Sequence, residues 1–309
     1  MEIAVAIANH NQHAQVRKCL KALMRQTFKP SAIYVMSDAD PWKPNKSDPD
    51  CLVAIDNPPE KGGRCSNRNS VIPRFLSDRF DAIVFIDGDC VPENREFLEM
   101  YTRLLGSHDL VFGTRRHTDP AGLELPPSDL LTANMDNLYA RQPLDFRDLR
   151  VVAGAVGAWG TAKTFEERVD LMITGMVGWS CNFAMTESGV RKLVNFMRST
   201  YQCDDGIFDS STFKDGWGYE DVAMGIDAMF AGLDVWISDD VRVVHKAHNR
   251  SDGLFDHVKG RHLMMERYRK LLKQSNIRNK VYMTAIVAIL FFFSGLITGM
   301  VTIAISLAE

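Results

Sequence analysis

The chain has 309 residues, of which 46% are hydrophobic and 24% are charged, and its formal net charge is −3. These are values of an ordinary globular protein, so composition excludes a disordered chain, a collagen-like repeat and a disulfide-stabilised miniprotein. The absence of a large positive charge argues against binding to nucleic acid. Six scattered cysteines without a Cys-x-x-Cys pair predict reduced thiols, not a zinc site or a disulfide framework.

Short apolar runs alternate with helical patterns through the first third of the chain. The apolar runs predict strands at residues 3–8, 32–36, 51–55, 82–86 and 109–112. The periodic segments predict helices at 16–26, 70–76 and 94–105, with a Gly- and Arg-rich turn at 62–69 before the second helix. This alternation predicts an α/β fold whose mostly parallel sheet binds ligands beyond the carboxyl ends of its strands.

The strongest local motif is Asp87-Gly88-Asp89, which ends a predicted buried strand. Two carboxylates at this point suit Mg²⁺ or Mn²⁺, and an ion with few protein ligands takes the others from phosphate. The alternative is an ordinary Asp-Gly turn.

Two other loops are expected at the same edge. Asp38 follows the second strand, where a carboxylate can accept from a nucleobase N–H or a ribose hydroxyl. The turn at 62–69 combines backbone amides with the guanidinium groups of Arg64 and Arg68, which are components of a diphosphate site. A plain loop and a solvated helix face are the alternatives.

The second half of the chain carries a glycine-flanked tryptophan, Trp217, followed by the acidic pair Glu220 and Asp221 at the start of a predicted helix, 222–231. The acidic residues are good helix-capping groups, but a carboxylate beside a mobile aromatic loop is also a candidate general base. His245 ends a later strand and could complete a metal site with the aspartates, with His248 as its rival. Trp159 and nearby glycines suggest a mobile acceptor loop.

The last part of the chain is apolar, with no charged residue from 281 to 308. This length predicts a membrane-spanning helix, and a long core helix is the alternative. Residues 255–280 before it hold eight Lys or Arg against two Asp or Glu, typical of a basic helix on an anionic membrane surface. With no signal-peptide pattern at the N-terminus, the charge bias places residues 1–280 in the cytoplasm.

The order of these motifs resembles the GT-A glycosyltransferases, specifically family-2-type enzymes with a galactosyltransferase-like C-terminal half. The resemblance covers roughly residues 1–250 and rests mainly on Val35-Met36-Ser37-Asp38-Ala39, Ser66-Asn67-Arg68-Asn69, Asp87-Gly88-Asp89 and Gly216-Trp217-Gly218-Tyr219-Glu220-Asp221. It implies a GT-A catalytic domain at 1–254, with a nucleotide-sugar half at 1–113 and an acceptor half at 114–254. A basic juxtamembrane helix at 255–280 and an anchor at 281–308 complete the expected organisation.

The resemblance also implies roles for single residues. Asn9 lies in the nucleotide loop, and Asp38 is the nucleobase contact. Asp89, with Asp87, binds Mn²⁺ or Mg²⁺, and His245 is the distal ligand. Asp221 is the catalytic base and Trp217 a mobile lid.

The expected function is transfer of a sugar, with inversion, from a nucleotide-sugar donor to a hydroxyl acceptor at the membrane. The donor is expected to carry UDP, and the acceptor to be a glycan or a lipid-linked glycoconjugate. The alternatives are a polyprenyl-phosphate sugar transferase, a nucleotidyltransferase and a membrane-tethered sugar-nucleotide binder without activity.

Overall fold

The computed structural model describes residues 1–56, 63–118, 158–174, 180–204, 206–213, 218–246 and 254–274. The chain divides into two compact units, Met1–Glu266 and Arg267–Glu309. The first unit holds the whole sheet and all but one of the described helices. Of the second unit, the described residues are 267–274, the end of a helix that begins in the first.

The described residues form eight strands and eight helices. The strands are β1 (Ile3–Asn9), β2 (Ala32–Ser37), β3 (Leu52–Asp56), β4 (Ala82–Asp87), β5 (Cys90–Pro92), β6 (Leu110–Thr118), β7 (Asn182–Thr186) and β8 (Val235–Lys246). The helices are α1 (His13–Leu23), α2 (Gly63–Asn69), α3 (Ile72–Asp78), α4 (Phe97–Leu105), α5 (Phe165–Thr174), α6 (Glu187–Tyr201), α7 (Glu220–Phe230) and α8 (Leu254–Gln274).

All eight strands belong to one sheet, in the order β3-β2-β1-β4-β7-β6-β8-β5. Strands β3, β2, β1 and β4 are parallel to one another, as are β6 and β8. The strand β7 is antiparallel to β4 and β6, and β5 is antiparallel to β8. The expected α/β fold with a mostly parallel sheet is therefore confirmed, with two reversed strands that the sequence pattern did not predict.

The sheet is strongly curved near β5. Only Gly88 and Asp89 separate β4 from β5, a span of at most about 11 Å between the Cα atoms of the flanking residues. In the sheet order these strands lie four positions apart, which in a flat sheet would be about 19 Å. The sheet must therefore bend back, and this curvature brings the end of β8 to the end of β4.

The core explains why these segments form strands. β1, β2 and β4 are buried along almost their whole length, as expected of parallel strands covered on both faces. Phe85 on β4 stacks on Phe183 of β7, with ring centroids 4.5 Å apart. Burial of each such side chain stabilises the fold by roughly 1.5–3 kcal/mol. The rigid strands fix where their polar ends lie.

The structure corrects two predictions. The segment predicted as a turn at 62–69 is helical from Gly63 to Asn69, and a second short helix follows at Ile72–Asp78. Trp159, predicted in a mobile acceptor loop, is fully buried and donates its indole N–H to the carbonyl oxygen of Val235 at 3.0 Å. It is a core residue, because its large ring fills space beside β8.

The predicted C-terminal anchor at 281–308 lies outside the described residues. None of the helices that the structure describes combines the length and apolar character needed to cross a membrane. The basic segment predicted at 255–280 is helical as far as Gln274.

Candidate functional site

Three predicted site residues meet at one edge of the sheet because their strands are parallel and in register. Asn9, the last residue of β1, pairs with Ser37 at the end of β2, directly before Asp38. On the other side of β1, Ala8 pairs with Asp87 at the end of β4. The carboxyl ends of three neighbouring strands therefore bring Asn9, Asp38 and Asp87 together.

Asn9 is fully buried and organises the loop after β1. Its Nδ2 donates to the hydroxyl oxygen of Ser37 at 3.0 Å, and its Oδ1 accepts from the backbone N–H of Gln12 at 3.1 Å. Both ends of the amide are therefore bonded within the protein. Asn9 shapes the nucleotide-side loop indirectly, because it holds Ser37 and Gln12 in place.

Asp38 has a partner that the sequence analysis missed. The Nδ1 of His10 lies 2.8 Å from Oδ1 of Asp38. The histidine side chain is 71% exposed, whereas the carboxylate is 9% exposed. The pair places an exposed imidazole beside the end of β2 and fixes one carboxylate oxygen. Since the two residues lie 28 positions apart, only the β1–β2 register could have predicted this pair.

Asp89 and His245 are brought together by the curvature of the sheet. Cys90 on β5 pairs with His245 on β8, which places the imidazole beside the preceding residue, Asp89. The Nε2 of His245 lies 3.3 Å from Oδ2 of Asp89, and both side chains are largely buried. Gln12, also missed by the sequence analysis, donates from Nε2 to the same oxygen at 3.2 Å.

The Asp89–His245 pair has a suitable chemistry for part of a Mn²⁺ site. Imidazole nitrogen combined with carboxylate oxygen suits a transition metal better than Mg²⁺, which prefers an all-oxygen shell. Within the described part of the chain, no three side chains of His, Cys, Asp or Glu group into a complete metal site. An ion held by this pair would need further ligands, for which a diphosphate is chemically suited.

Asp87 differs from Asp89 in its partner. The Nη2 of Arg68 donates to Oδ1 of Asp87 at 2.8 Å, and the arginine side chain is only 4% exposed. Arg64, four residues earlier on α2, is exposed. Of the two guanidinium groups predicted for a diphosphate, one is therefore buried against a carboxylate and the other faces solvent.

The acidic pair lies at the N-terminus of α7. Tyr219 has a φ of 67°, and this left-handed residue turns the chain into the helix. The backbone N–H of Gly218 donates to Oε2 of Glu220 at 2.8 Å. Asp221 accepts from the backbone N–H groups of Val222, at 2.9 Å, and Ser180, at 3.4 Å.

Electrostatics distinguish the two acidic residues from ordinary surface carboxylates. Both are at least nine-tenths buried. Burial, followed by the charge of Asp221, raises the pKa of Glu220, whereas the charges of Arg68 and Arg64 act in the opposite direction. The raised pKa means that Glu220 takes up a proton more readily than an ordinary surface glutamate.

A short stretch before β7 connects the acidic pair to the strand edge. The backbone N–H of Ser180 contacts Asp221, and the carbonyl oxygen of the next residue, Cys181, accepts from the N–H of Asp87 at 3.2 Å. Adjacent residues thus contact both the predicted base and the predicted metal motif. The two acidic groups therefore lie close to the same stretch of chain although they are 134 positions apart in the sequence.

Other predicted site residues lie outside the described residues. These are Trp217 and the rival ligand His248. Their predicted roles stay predictions.

Comparison with known proteins finds a matching family model. The family model described as "Glycosyl transferase family 2" matches residues 4–163. Comparison with the sequences of curated proteins found no match.

The solved structures that match include TarS of S. aureus, with 13% identity over 80% of this chain and 37% of that chain and a TM-score of 0.44. TarS 1-349 in complex with UDP-GlcNAc gives 12% identity over 82% of this chain and 61% of that chain, with a TM-score of 0.44. The mannosyltransferase PcManGT from Pyrobaculum calidifontis, in complex with GDP-Man and Mn2+, gives 13% identity over 95% of this chain and 80% of that chain, with a TM-score of 0.45. The alignment therefore spans less than two thirds of both TarS chains.

The family model covers the strands β1 to β6 and with them Asn9, Asp38, Asp87 and Asp89. Because that match extends over just over half of the 309 residues, the chain belongs to glycosyl transferase family 2.

Proposed function

We propose that this protein is an inverting, metal-dependent glycosyltransferase that uses a nucleotide-sugar donor and a hydroxyl acceptor. Family membership supports the transferase activity. The observation that carries the finer proposal is the shared contact of the stretch 180–181 with Asp221 and Asp87. A candidate base and a candidate metal motif in one cleft are what a metal-assisted transfer to a hydroxyl requires.

The donor would bind across the carboxyl ends of β1, β2 and β4. Asp38 would accept from a nucleobase N–H, with the buried amide of Asn9 holding the loop beside it. Asp89 and His245 would hold Mn²⁺, with Asp87 next to it and Arg64 toward the diphosphate. When bound, the ion neutralises charge that develops on the leaving nucleoside diphosphate.

The transfer step needs a base on the acceptor side. Asp221 would accept the proton of an acceptor hydroxyl at its carboxylate while the oxygen attacks the anomeric carbon. Attack opposite the breaking sugar–phosphate bond inverts the configuration, through an oxocarbenium-like state as in glycoside hydrolysis. A lipid-phosphate acceptor would need no base because it is already ionised, so the buried acidic pair favours a hydroxyl.

The first test is a screen of UDP- and GDP-sugars for release of nucleoside diphosphate in the presence of Mn²⁺. We expect release from one donor, slow without acceptor, and abolished by Asp89→Ala because the ion loses its carboxylate ligand. Asp204→Ala is the matched control, since Asp204 is 76% exposed and pairs with Arg198 on the surface. Equal release by wild type and Asp89→Ala would contradict the metal assignment. Metal-dependent binding without release would support a binder.

We further propose that the chain acts at the cytoplasmic face of a membrane on a glycan or lipid-linked acceptor. The uncharged run 281–308 and the basic segment 255–280 support this location. The 309-residue chain should then remain in the membrane fraction after carbonate washing, whereas Phe292→Arg/Leu296→Arg should release it. Extraction of the unaltered chain by carbonate would contradict the anchor.

A further inference from the structure

Arg68 is a buried cation between the two acidic parts of the cleft. Its Nη2 donates to Asp87 at 2.8 Å, and its Nη1 lies 3.9 Å from Oε1 of Glu220. Its guanidinium carbon lies 5.8 Å from the centre of the Phe208 ring. One side chain therefore faces the carboxylate at the end of β4 and the carboxylate at the start of α7.

The cost of burying this charge argues against a purely structural role. Among the described residues, Nε and Nη1 of Arg68 have no hydrogen-bond partner, although both atoms are buried. Burial acts to lower the pKa of Arg68, but the charges of Asp87 and Glu220 outweigh it and raise that pKa. Since a buried ion pair is often no more stabilising than apolar residues of similar volume, stability alone does not account for it.

The helix that carries Arg68 is anchored on both sides. Asn67 donates to the carbonyl oxygen of Met36 on β2 at 3.2 Å. Asn69 donates to the carbonyl oxygen of Phe208 at 2.8 Å and accepts from the N–H of Ile207 and of Phe208, at 3.0 Å each. Arg68 is thus held between the donor-side strands and a segment of the acceptor half.

We propose that Arg68 is a positioning residue that couples Asp87, beside the metal pair, to Glu220, beside the base Asp221. The proposal rests on the proposed function for the roles of those two ends. Its single charge holds the carboxylate of Asp87 beside the metal pair and balances the buried carboxylate of Glu220 next to the base Asp221. Metal binding and proton removal then depend on the same guanidinium group.

This role differs from direct contact with the diphosphate. An arginine that binds the diphosphate directly would need an accessible guanidinium group. Its loss would weaken donor binding alone. Arg68 is only 4% exposed and already bonded to Asp87. Its loss should therefore change the requirement for Mn²⁺ and the turnover number together.

The test compares Arg68→Met, Arg68→Lys, Glu220→Gln and Arg68→Met/Glu220→Gln. Arg74→Met is the matched control, because Arg74 forms an Arg–Asp pair with Asp78 on the neighbouring helix α3 and is 58% exposed. We expect Arg68→Met to raise the Mn²⁺ concentration for half-maximal release about tenfold, as for other residues that orient metal ligands, and to lower kcat. Arg74→Met should leave both values unchanged.

A thermal-unfolding cycle measures the charge link without a donor. Arg68→Met should lower Tm by about 10 °C, because it leaves the buried Glu220 and the partly buried Asp87 unbalanced. Adding Glu220→Gln should recover part of this loss, since it removes one of the two charges. Arg68→Lys keeps the charge but not the two-armed geometry, and should recover Tm more fully than kcat.

Two results would overturn the proposal. In one, the Tm changes of Arg68→Met and Glu220→Gln add up to that of the double variant, which would mean that Arg68 acts by packing. The other is a Mn²⁺ requirement and kcat for Arg68→Met equal to those of Arg74→Met. If Arg68→Met does not fold, Arg68→Lys with and without Glu220→Gln gives the same comparison. If the wild type releases no nucleoside diphosphate, the proposed function fails, while the unfolding cycle still decides the charge link.

Discussion

At the scale of single residues, carboxylates of the same type differ in the partner that holds them. Asp89 is contacted by an imidazole and an amide, and Asp87 by a buried guanidinium. The sequence could predict that these acidic residues end a strand, because an apolar run followed by Asp-Gly-Asp is a local pattern. It could not predict Arg68 as the partner of Asp87, since that contact depends on how α2 packs against β1 and β2.

Thiol chemistry provides a prediction at this scale. All six cysteines lie in the described part of the chain and are thiols outside any disulfide; five are buried and Cys51 is partly exposed. Burial raises the pKa of Cys51, and burial followed by the charge of Asp89 raises the pKa of Cys19 to about 12. A chromogenic disulfide reagent should therefore modify at most one thiol of the native protein, slowly, and six in denaturant. Rapid modification of two or more native thiols, or one that persists in Cys51→Ser, would contradict the described packing.

Asp78 predicts a pH dependence of stability. It accepts from the hydroxyl of Tyr34 at 2.6 Å and from Arg74 at 2.7 Å, and these hydrogen bonds hold its pKa below the ordinary value of 3.8. Because the pKa of Asp78 is lower in the folded state, its ionised form stabilises the fold at pH values above the ordinary pKa. This contribution is lost as the pH falls through the folded-state pKa. Asp78→Asn should lower Tm by about 2–4 °C at pH 7, and the difference should shrink as pH falls below about 4. A difference that is constant from pH 7 to pH 3 would contradict this account.

At the scale of elements, local patterns predicted most of the regular strands and left out the short or reversed ones. β1, β2, β3 and β4 were predicted to within about two residues because each is a buried apolar run. β5 has three residues, too few for any period to show. The direction of β7 depends on its neighbours in the sheet, which local sequence does not encode.

Gly113 marks the point where the register between β6 and β8 shifts. A Cβ at this position would lie 2.2 Å from Nδ2 of Asn182 and 2.2 Å from the carbonyl oxygen of Val241. Asn182 cannot move away easily, because its Nδ2 donates to Val241 and to Thr114. Gly113→Ala should therefore destabilise the fold by about 3 kcal/mol.

The control for this substitution is Gly160→Ala, whose Cβ would meet only the ring of Trp236 at an ordinary 3.4 Å. Chemical denaturation of the three proteins measures the difference. Equal free energies of unfolding for Gly113→Ala and wild type would mean that the β6–β8 register is not as described.

At the scale of the whole molecule, the order of loops along the chain predicted the site better than any single motif. Parallel strands have their carboxyl ends at one edge, so Asn9, Asp38 and Asp87 could be expected together. The approach of His245 to Asp89 depends on sheet curvature, and that of Asp221 to Asp87 on the stretch 180–181. Neither is a local property of the sequence, and for these residues the resemblance to a family carried the prediction.

The central claim is that Asp221 acts on the acceptor side of a site whose metal pair, Asp89 and His245, binds the donor nucleotide. It is tested by calorimetric titration of UDP and GDP with Mn²⁺ into wild type and Asp221→Asn, beside release of nucleoside diphosphate from the donor sugar. We expect Asp221→Asn to bind the nucleotide like wild type and to release product about 10²- to 10⁴-fold more slowly, because it cannot accept the proton. If Asp221→Asn binds the nucleotide and releases nucleoside diphosphate at the wild-type rate, the account is contradicted.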